Sequence, residues 1–155
     1  MSAMKSVALA TEVTTRAREH SAAELANKLQ AAAAAQSQLD QLELYAADTA
    51  SRWSSSVDKQ ITTELMRHHY QFLDRLYHAI ALQRSVLESL VSQINKARNG
   101  LLQIEFRLAG LKKIGTKQRL ALNAQDAFRE QRQTDELAAR QHARQVKQRQ
   151  VGGQT

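Results

Sequence analysis

Three groups of residues in this 155-residue chain have side chains able to do chemistry: a histidine pair, a glycine-lysine run and a long series of cations. His68 and His69 are adjacent, so on a helix they point about 100° apart and cannot grip one metal ion together. His78 lies on another part of the surface, and the expectation for all three is polar helix surface. The run Gly110-Leu111-Lys112-Lys113-Ile114-Gly115-Thr116-Lys117 has the composition of a phosphate-binding loop. Its Lys and Thr stand in the wrong order, however, and no strand precedes it. Acidic residues are dispersed, and the chain has no cysteine, which excludes disulfides and thiolate metal sites. The expectation is a protein that is not an enzyme and carries no metal or cofactor.

The cations fall unevenly. Residues 1–60 hold six Lys/Arg against seven Asp/Glu, whereas residues 61–155 hold sixteen against eight, which together give the net charge of +7. Lys112, Lys113, Lys117, Arg119, Arg129, Arg132, Arg140, Arg144, Lys147 and Arg149 make the C-terminal stretch basic. Nucleic-acid binding would want aromatic rings among them, and Phe128 is the only one. The cations also spread around the helix and form no single groove-reading face. A protein partner is the better expectation, and nucleic acid is not expected.

Those cations must be carried by helices. Proline is absent, aromatics make up 5% of the chain, and Ala, Leu, Gln, Arg, Lys and Glu dominate, the mixture of long helices and coiled coils. Leu87, Leu90, Ile94, Ala97, Leu101, Ile104, Leu108 and Leu111 recur at alternating spacings of three and four. That is an a/d seam on a long helix packed against another. Upstream the seam is read through Leu65, Phe72, Leu76 and Ala79, with Leu73, Tyr77 and Ile80 as a second, more exposed row. A two-helix contact needs only the narrow stripe, so this widening leaves apolar surface for a partner. Phe72 and Leu76 fit either role, core or interface, as does Tyr45.

The first helix is expected over residues 5–53, with Val7, Val13, Ala17, Leu25, Leu29, Ala32, Leu39, Leu42, Ala46 and Trp53 as its apolar positions. Ser21 and Glu24 have the spacing of a capping box, but good helix formers on both sides favour continuity. The five alanines 31–35 permit close approach of a partner helix. Around Ser51, Ser54, Ser55 and Ser56 the pattern lapses, and Asp58 or Thr62 can cap a new helix. A turn over 54–61 and a second helix over 62–148 follow, with residues 150–155 as a disordered tail. If the chain reverses there, facing residues have numbers with a constant total: Leu39 with Leu76 and Leu25 with Leu90 give 115, Leu42 with Phe72 and Val13 with Leu101 give 114. The fold expected is all-α, an antiparallel two-helix coiled-coil hairpin with a longer second helix. In that register the first helix ends opposite Leu111. Residues 112–148 would form a polar overhang of roughly 50 Å that becomes ordered on a partner. No apolar run approaches the roughly 20 residues that span a bilayer, so no direct membrane insertion is expected. Residues 1–15 have one Lys and no continuous apolar stretch, as expected of a cytosolic protein.

Three segments give the chain a family likeness. Leu39-Asp40-Gln41-Leu42-Glu43-Leu44-Tyr45, Tyr70-Gln71-Phe72-Leu73-Asp74-Arg75-Leu76-Tyr77-His78-Ala79-Ile80 and Arg129-Glu130-Gln131-Arg132-Gln133-Thr134-Asp135-Glu136-Leu137-Ala138-Ala139-Arg140 occur in that order. The chain thereby resembles the FliJ family, soluble components of the flagellar type III export apparatus, and their counterparts in virulence secretion systems. It departs from the family pattern at Ala46, often basic there, and in lacking a tryptophan in the middle of the second helix. The resemblance implies a hairpin similar in shape to the central stalk of rotary ATPases. Its ends would enter the export ATPase hexamer, its side would meet the membrane export gate, and it would handle export chaperones. It also implies a cytoplasmic protein peripherally associated with the inner membrane. Carried over by residue, the gate-facing patch is Phe72, Leu76 and Ala79, with Gln83 where the family can carry a His. With the second apolar row, the gate set is Phe72, Leu73, Leu76, Tyr77, Ala79 and Ile80. The ATPase set is Phe128, Arg129, Arg132, Asp135 and Glu136. A virulence-system counterpart or a generic structural coiled coil are the alternatives.

Overall fold

A computed structural model describes residues 2–56 and 62–153. They form two helices, α1 (Ser2–Ser56) and α2 (Thr63–Gly152), packed antiparallel with no strand among the described residues. This is the expected all-α hairpin. Most of the expected turn, residues 57–61, lies outside the described residues, but both of its borders are visible. Ser54 and Ser55 continue α1, and Ser55 Oγ donates to the Arg52 carbonyl at 2.9 Å. On the far side the Leu65 amide donates to Thr62 Oγ1 at 3.3 Å, so Thr62 is the cap of α2. Glu64 in the first turn and Arg149 in the last complement the helix dipole. Ser21 and Glu24 do not interrupt α1, and Gly100, Gly110 and Gly115 stay inside α2. The latter runs to Gly152, past the expected stop near 148, and the Gly153 amide closes it on the Arg149 carbonyl at 3.1 Å.

The chain divides into two compact units, Thr14–Phe106 and Met1–Val13 with Arg107–Thr155. In Thr14–Phe106 the core is a cluster of Leu39, Ala46, Leu76 and Ile80, with Leu42 and Leu87 packed on it. Ala35 and Ile94 are buried further along, and no polar side chain is buried among the described residues. Leu73 and Ile80 therefore belong to the seam, not to an exposed second row. Phe72 and Leu65, read as seam, are exposed. The reason is Gln83. Counting back from Leu87 in steps of four and three gives Gln83, Ile80, Leu76, Leu73 and His69, and a polar residue at one seam position hides the continuation. Gln83 earns its place by donating from Nε2 to the Ala35 carbonyl at 3.0 Å and to Gln38 Oε1 at 3.1 Å, tying the helices together.

The register differs from the expected one by a whole heptad. Trp53 stacks on His69, with ring centroids 3.8 Å apart and an interplanar angle of 9°. Those numbers total 122, not 115. Arg84 pairs with Glu43 at 2.8 Å and Arg18 with Glu105 at 3.7 Å, consistent with the same alignment. A seam of period seven matches itself when slid by seven, so apolar pattern alone cannot choose. Side-chain volume does choose. The expected register would set Leu39 on Leu76 and Leu25 on Leu90, large against large. The observed one sets Leu76 opposite Ala46, Leu87 opposite Ala35, Leu90 opposite Ala32 and Leu25 opposite Ala97. Large against small fills the space between the helices without overlap or void. Along α1 this alignment brings Thr14, Ser21 and Lys28 half-buried into the seam, while Ala17 and Leu29 are exposed. Cysteines at Leu25 and Ala97 should therefore form an intramolecular disulfide readily. A pair at Leu25 and Leu90 sits about 10 Å out of register, beyond disulfide reach. The check is non-reducing electrophoresis of the two double variants, and preferential closure of the Leu25–Leu90 pair would restore the shorter alignment.

In the second unit Leu108 is buried, and Met4, Val7, Thr11 and Leu111 are half-buried. A Cβ built on Gly115 would lie 3.8 Å from Val7 Cγ1, so Val7 faces Gly115, again totalling 122. A total of 115 or 114 would instead put Val7 opposite Leu108 and Val13 in the seam opposite Leu101; Val13 is exposed. Contact with α1 thus reaches about Gln118, one heptad beyond the expected limit at Leu111. From residue 121 to 153 every residue is exposed. That exposed stretch of α2 measures roughly 48 Å at 1.5 Å per residue.

Candidate partner-binding surfaces

The seam at the start of α2 distributes the expected gate-facing residues over three environments. Leu76 and Ile80 are core, 8% and 5% exposed. Leu73 and Ala79 are half-buried flanking positions. Phe72 and Tyr77, 41% and 54% exposed, are the two that present rings to solvent. Five residues apart on a helix, they point about 140° apart and so serve different flanks of the seam.

On the Phe72 flank the ring meets Tyr45 of α1 edge-on, at 5.9 Å and 88°. Tyr45 is itself exposed, which settles its role between core and surface. Beside it Gln38, Gln41, Leu42, Tyr45 and Gln83 line a shallow groove of about 490 Å³. Gln83 is already engaged with α1, so it closes the floor of this groove and is not free to reach outward. On the other flank Tyr77 borders a groove of about 390 Å³ with Ala46, Ala47, Ile80 and the Glu43–Arg84 ion pair.

Close to the start of α2 is a feature that the sequence reading missed. His69, expected on polar surface, lies flat on Trp53, and its Nε2 is buried without a hydrogen-bond partner. Tyr70 meets it edge-on at 6.0 Å, and Asp48 holds Arg52 at 3.3 Å nearby. Only the register brings Trp53 and His69 together, so no local motif announces the stack. His68 and His78 are exposed. Among the described residues no group of three or more His, Cys, Asp or Glu is placed to hold a metal.

The expected ATPase-binding residues Phe128, Arg129, Arg132, Asp135 and Glu136 are all exposed. None of them takes part in an ion pair among the described residues. Continuing the seam from Leu108 and Leu111 through Gly115 and Gln118 leads to Leu122, Gln125, Arg129, Arg132, Glu136, Ala139, Ala143 and Val146. Three of the five residues thus occupy the positions where a coiled coil wants apolar side chains. The face that packs on α1 lower down turns polar and charged here. A helix cannot bury Arg129 and Arg132 against leucine, so this stretch suits a partner that offers carboxylates or carbonyls.

A two-helix hairpin whose seam extends past its own partner helix, with aromatic rings exposed beside that seam, is an all-α coiled-coil protein. The chain belongs to the FliJ family: the family described as "Flagellar FliJ protein" matches residues 6–147. Membership makes it a component of the flagellar export apparatus. No curated protein and no solved structure gives a significant match. No helix among the described residues is long and apolar enough to cross a membrane.

Proposed function

We propose that this chain is a non-enzymatic, stalk-like part of the flagellar export apparatus that joins the export ATPase hexamer to the membrane export gate and handles export chaperones. The observation that carries the reading is the run of Arg129, Arg132 and Glu136 at seam positions in the stretch of α2 where every residue is exposed. A seam that keeps its phase but exchanges apolar for charged residues is built to face polar protein surface. The resemblance of the 129–140 segment supplies the candidate, the ATPase. Phe72, with Tyr45 beside it, is the proposed centre of the gate contact, and Tyr77 contributes from the other flank. Leu76 and Ile80 act beneath them by holding the backbone, with Leu73 and Ala79 at the margin. The protein would work in the cytoplasm, peripherally associated with the inner membrane through the gate.

The flagellar family match supports this over the virulence-system counterpart, which shares the same hairpin physics. The test is turnover of the purified export ATPase with and without the full chain, alongside co-purification of the chain with the gate protein. Stimulation together with co-purification is expected. A chain that changes neither would reduce the reading to a plain structural coiled coil.

A further inference from the structure

A separate feature lies where the N-terminal turns of α1 cover α2. Met4, Val7 and Leu111 floor an open trough of about 550 Å³, and Gly115 leaves its wall without a side chain. Lys112 and Arg119 stand on its rim. They are seven residues apart, so they lie on one side of α2 about 10 Å from each other. Between them Thr116 Oγ1 donates to the Lys112 carbonyl at 2.9 Å, and Arg119 Nη2 reaches Thr116 Oγ1 at 3.4 Å, which holds the guanidinium beside the trough. Neither cation meets a carboxylate among the described residues. The surroundings reinforce the charge. Residues 107–125 contain Arg107, Lys112, Lys113, Lys117 and Arg119 and no acid, and residues 2–11 contain Lys5 and no acid.

We infer that this trough is a docking site for an acidic amphipathic helix of a protein partner, which would lie along α1 and α2 as a third strand. Each element of the geometry asks for part of that ligand. The apolar floor takes a stripe of leucine-sized side chains, and the missing Cβ at Gly115 gives them depth. Two cations seven residues apart match carboxylates spaced by one heptad on a helix beside such a stripe. A small molecule would want convergent polar groups, whereas the Thr116 hydroxyl is already engaged and the cations are exposed. A nucleic-acid backbone would use the cations and gain nothing from the floor. The inference does not depend on the ATPase or the gate being partners, and its test uses neither.

The probe is a fluorescent three-heptad peptide with leucine at a and d and glutamate at e and g, titrated by anisotropy against the full chain. Its companions are a scrambled peptide of the same composition, a lysine-flanked version and a short duplex DNA. Saturable binding of the ordered acidic peptide is expected. Gly115→Leu should fill the trough and weaken it by about tenfold or more, while Gly115→Ala, whose added carbon meets Val7 at ordinary contact distance, should leave it within about threefold. Lys112→Glu with Arg119→Glu should abolish that binding and favour the lysine-flanked peptide. Helical melts confirm that each variant is folded. Equal binding of the scrambled peptide, or an unchanged affinity in Gly115→Leu, overturns the proposal in favour of unspecific charge. DNA that binds more tightly than the peptide overturns it in favour of a polyanion. Self-association of the chain alone that Gly115→Leu removes would assign the trough to a second copy instead.

Discussion

Alanine at Phe128, Arg129 and Arg132 together should leave the free protein almost unchanged and cripple its effect on the export ATPase. All three side chains are exposed, and none is ion-paired among the described residues. Surface changes of this kind usually stay within about 0.5 kcal/mol each, and alanine is the best helix former. The melting temperature should move by no more than about 6 °C. Against a partner the same side chains are an aromatic ring and two guanidiniums, the types that dominate interface energetics. Their loss should raise the concentration needed for half-maximal stimulation by about ten- to a hundredfold. Circular-dichroism melts and ATPase turnover on one preparation give both numbers. If the variant unfolds, residues 121–153 are not free of α1. If it melts normally and still stimulates fully, the charged seam is not the ATPase contact.

The second large effect separates core from surface at the start of α2. Leu76→Ala with Ile80→Ala removes two members of the central cluster. Buried Leu or Ile to Ala costs about 2–5 kcal/mol each, against a total stability of about 5–15 kcal/mol for a whole domain. The melting temperature should fall by more than about 10 °C. Phe72→Ala with Tyr77→Ala removes the two exposed rings of the gate set. Tyr45 and Tyr70 keep their exposed rings in that variant, which sacrifices only the edge contact of Phe72 with Tyr45, about 0.5–1.5 kcal/mol, so most of the stability should remain. Association with the gate protein should fall strongly only in the second variant when both are compared below their melting points. A core variant that melts normally, or a ring variant that binds the gate as well as the parent, would sink the assignment.

The sequence carried the fold class because the 87–111 seam is uninterrupted, and all eight of its residues are buried or half-buried. It did not carry the register. Translation by seven residues maps one set of apolar positions onto the next. What breaks that symmetry is the pairing of Ala32, Ala35 and Ala46 with leucines, a property of two segments taken together. Polar seam residues did further damage. Gln83 in α2 and Thr14, Ser21 and Lys28 in α1 occupy positions where an apolar count looks for leucine. The eye then moves to Phe72, Val13 or Leu29, which are exposed. The Trp53–His69 stack and the trough beside Gly115 were out of reach for the same reason, since each depends on which heptad faces which. The exposed stretch of α2 past Gln118 was legible in kind, but its start was misplaced by the same seven residues.

The phase shared by Leu108, Leu111 and Gly115 with Arg129, Arg132 and Glu136 limits how the length of this part of α2 can change over evolution. One residue inserted between 119 and 128 would swing the three charged side chains about 100° around the helix relative to the positions that pack on α1. Seven inserted residues, nearly two full turns, would carry them about 10 Å further out with almost the same bearing. Orthologous chains that have grown or shrunk here should therefore differ by multiples of seven, with the intervening lengths purged because the charged residues would face away from whatever they meet.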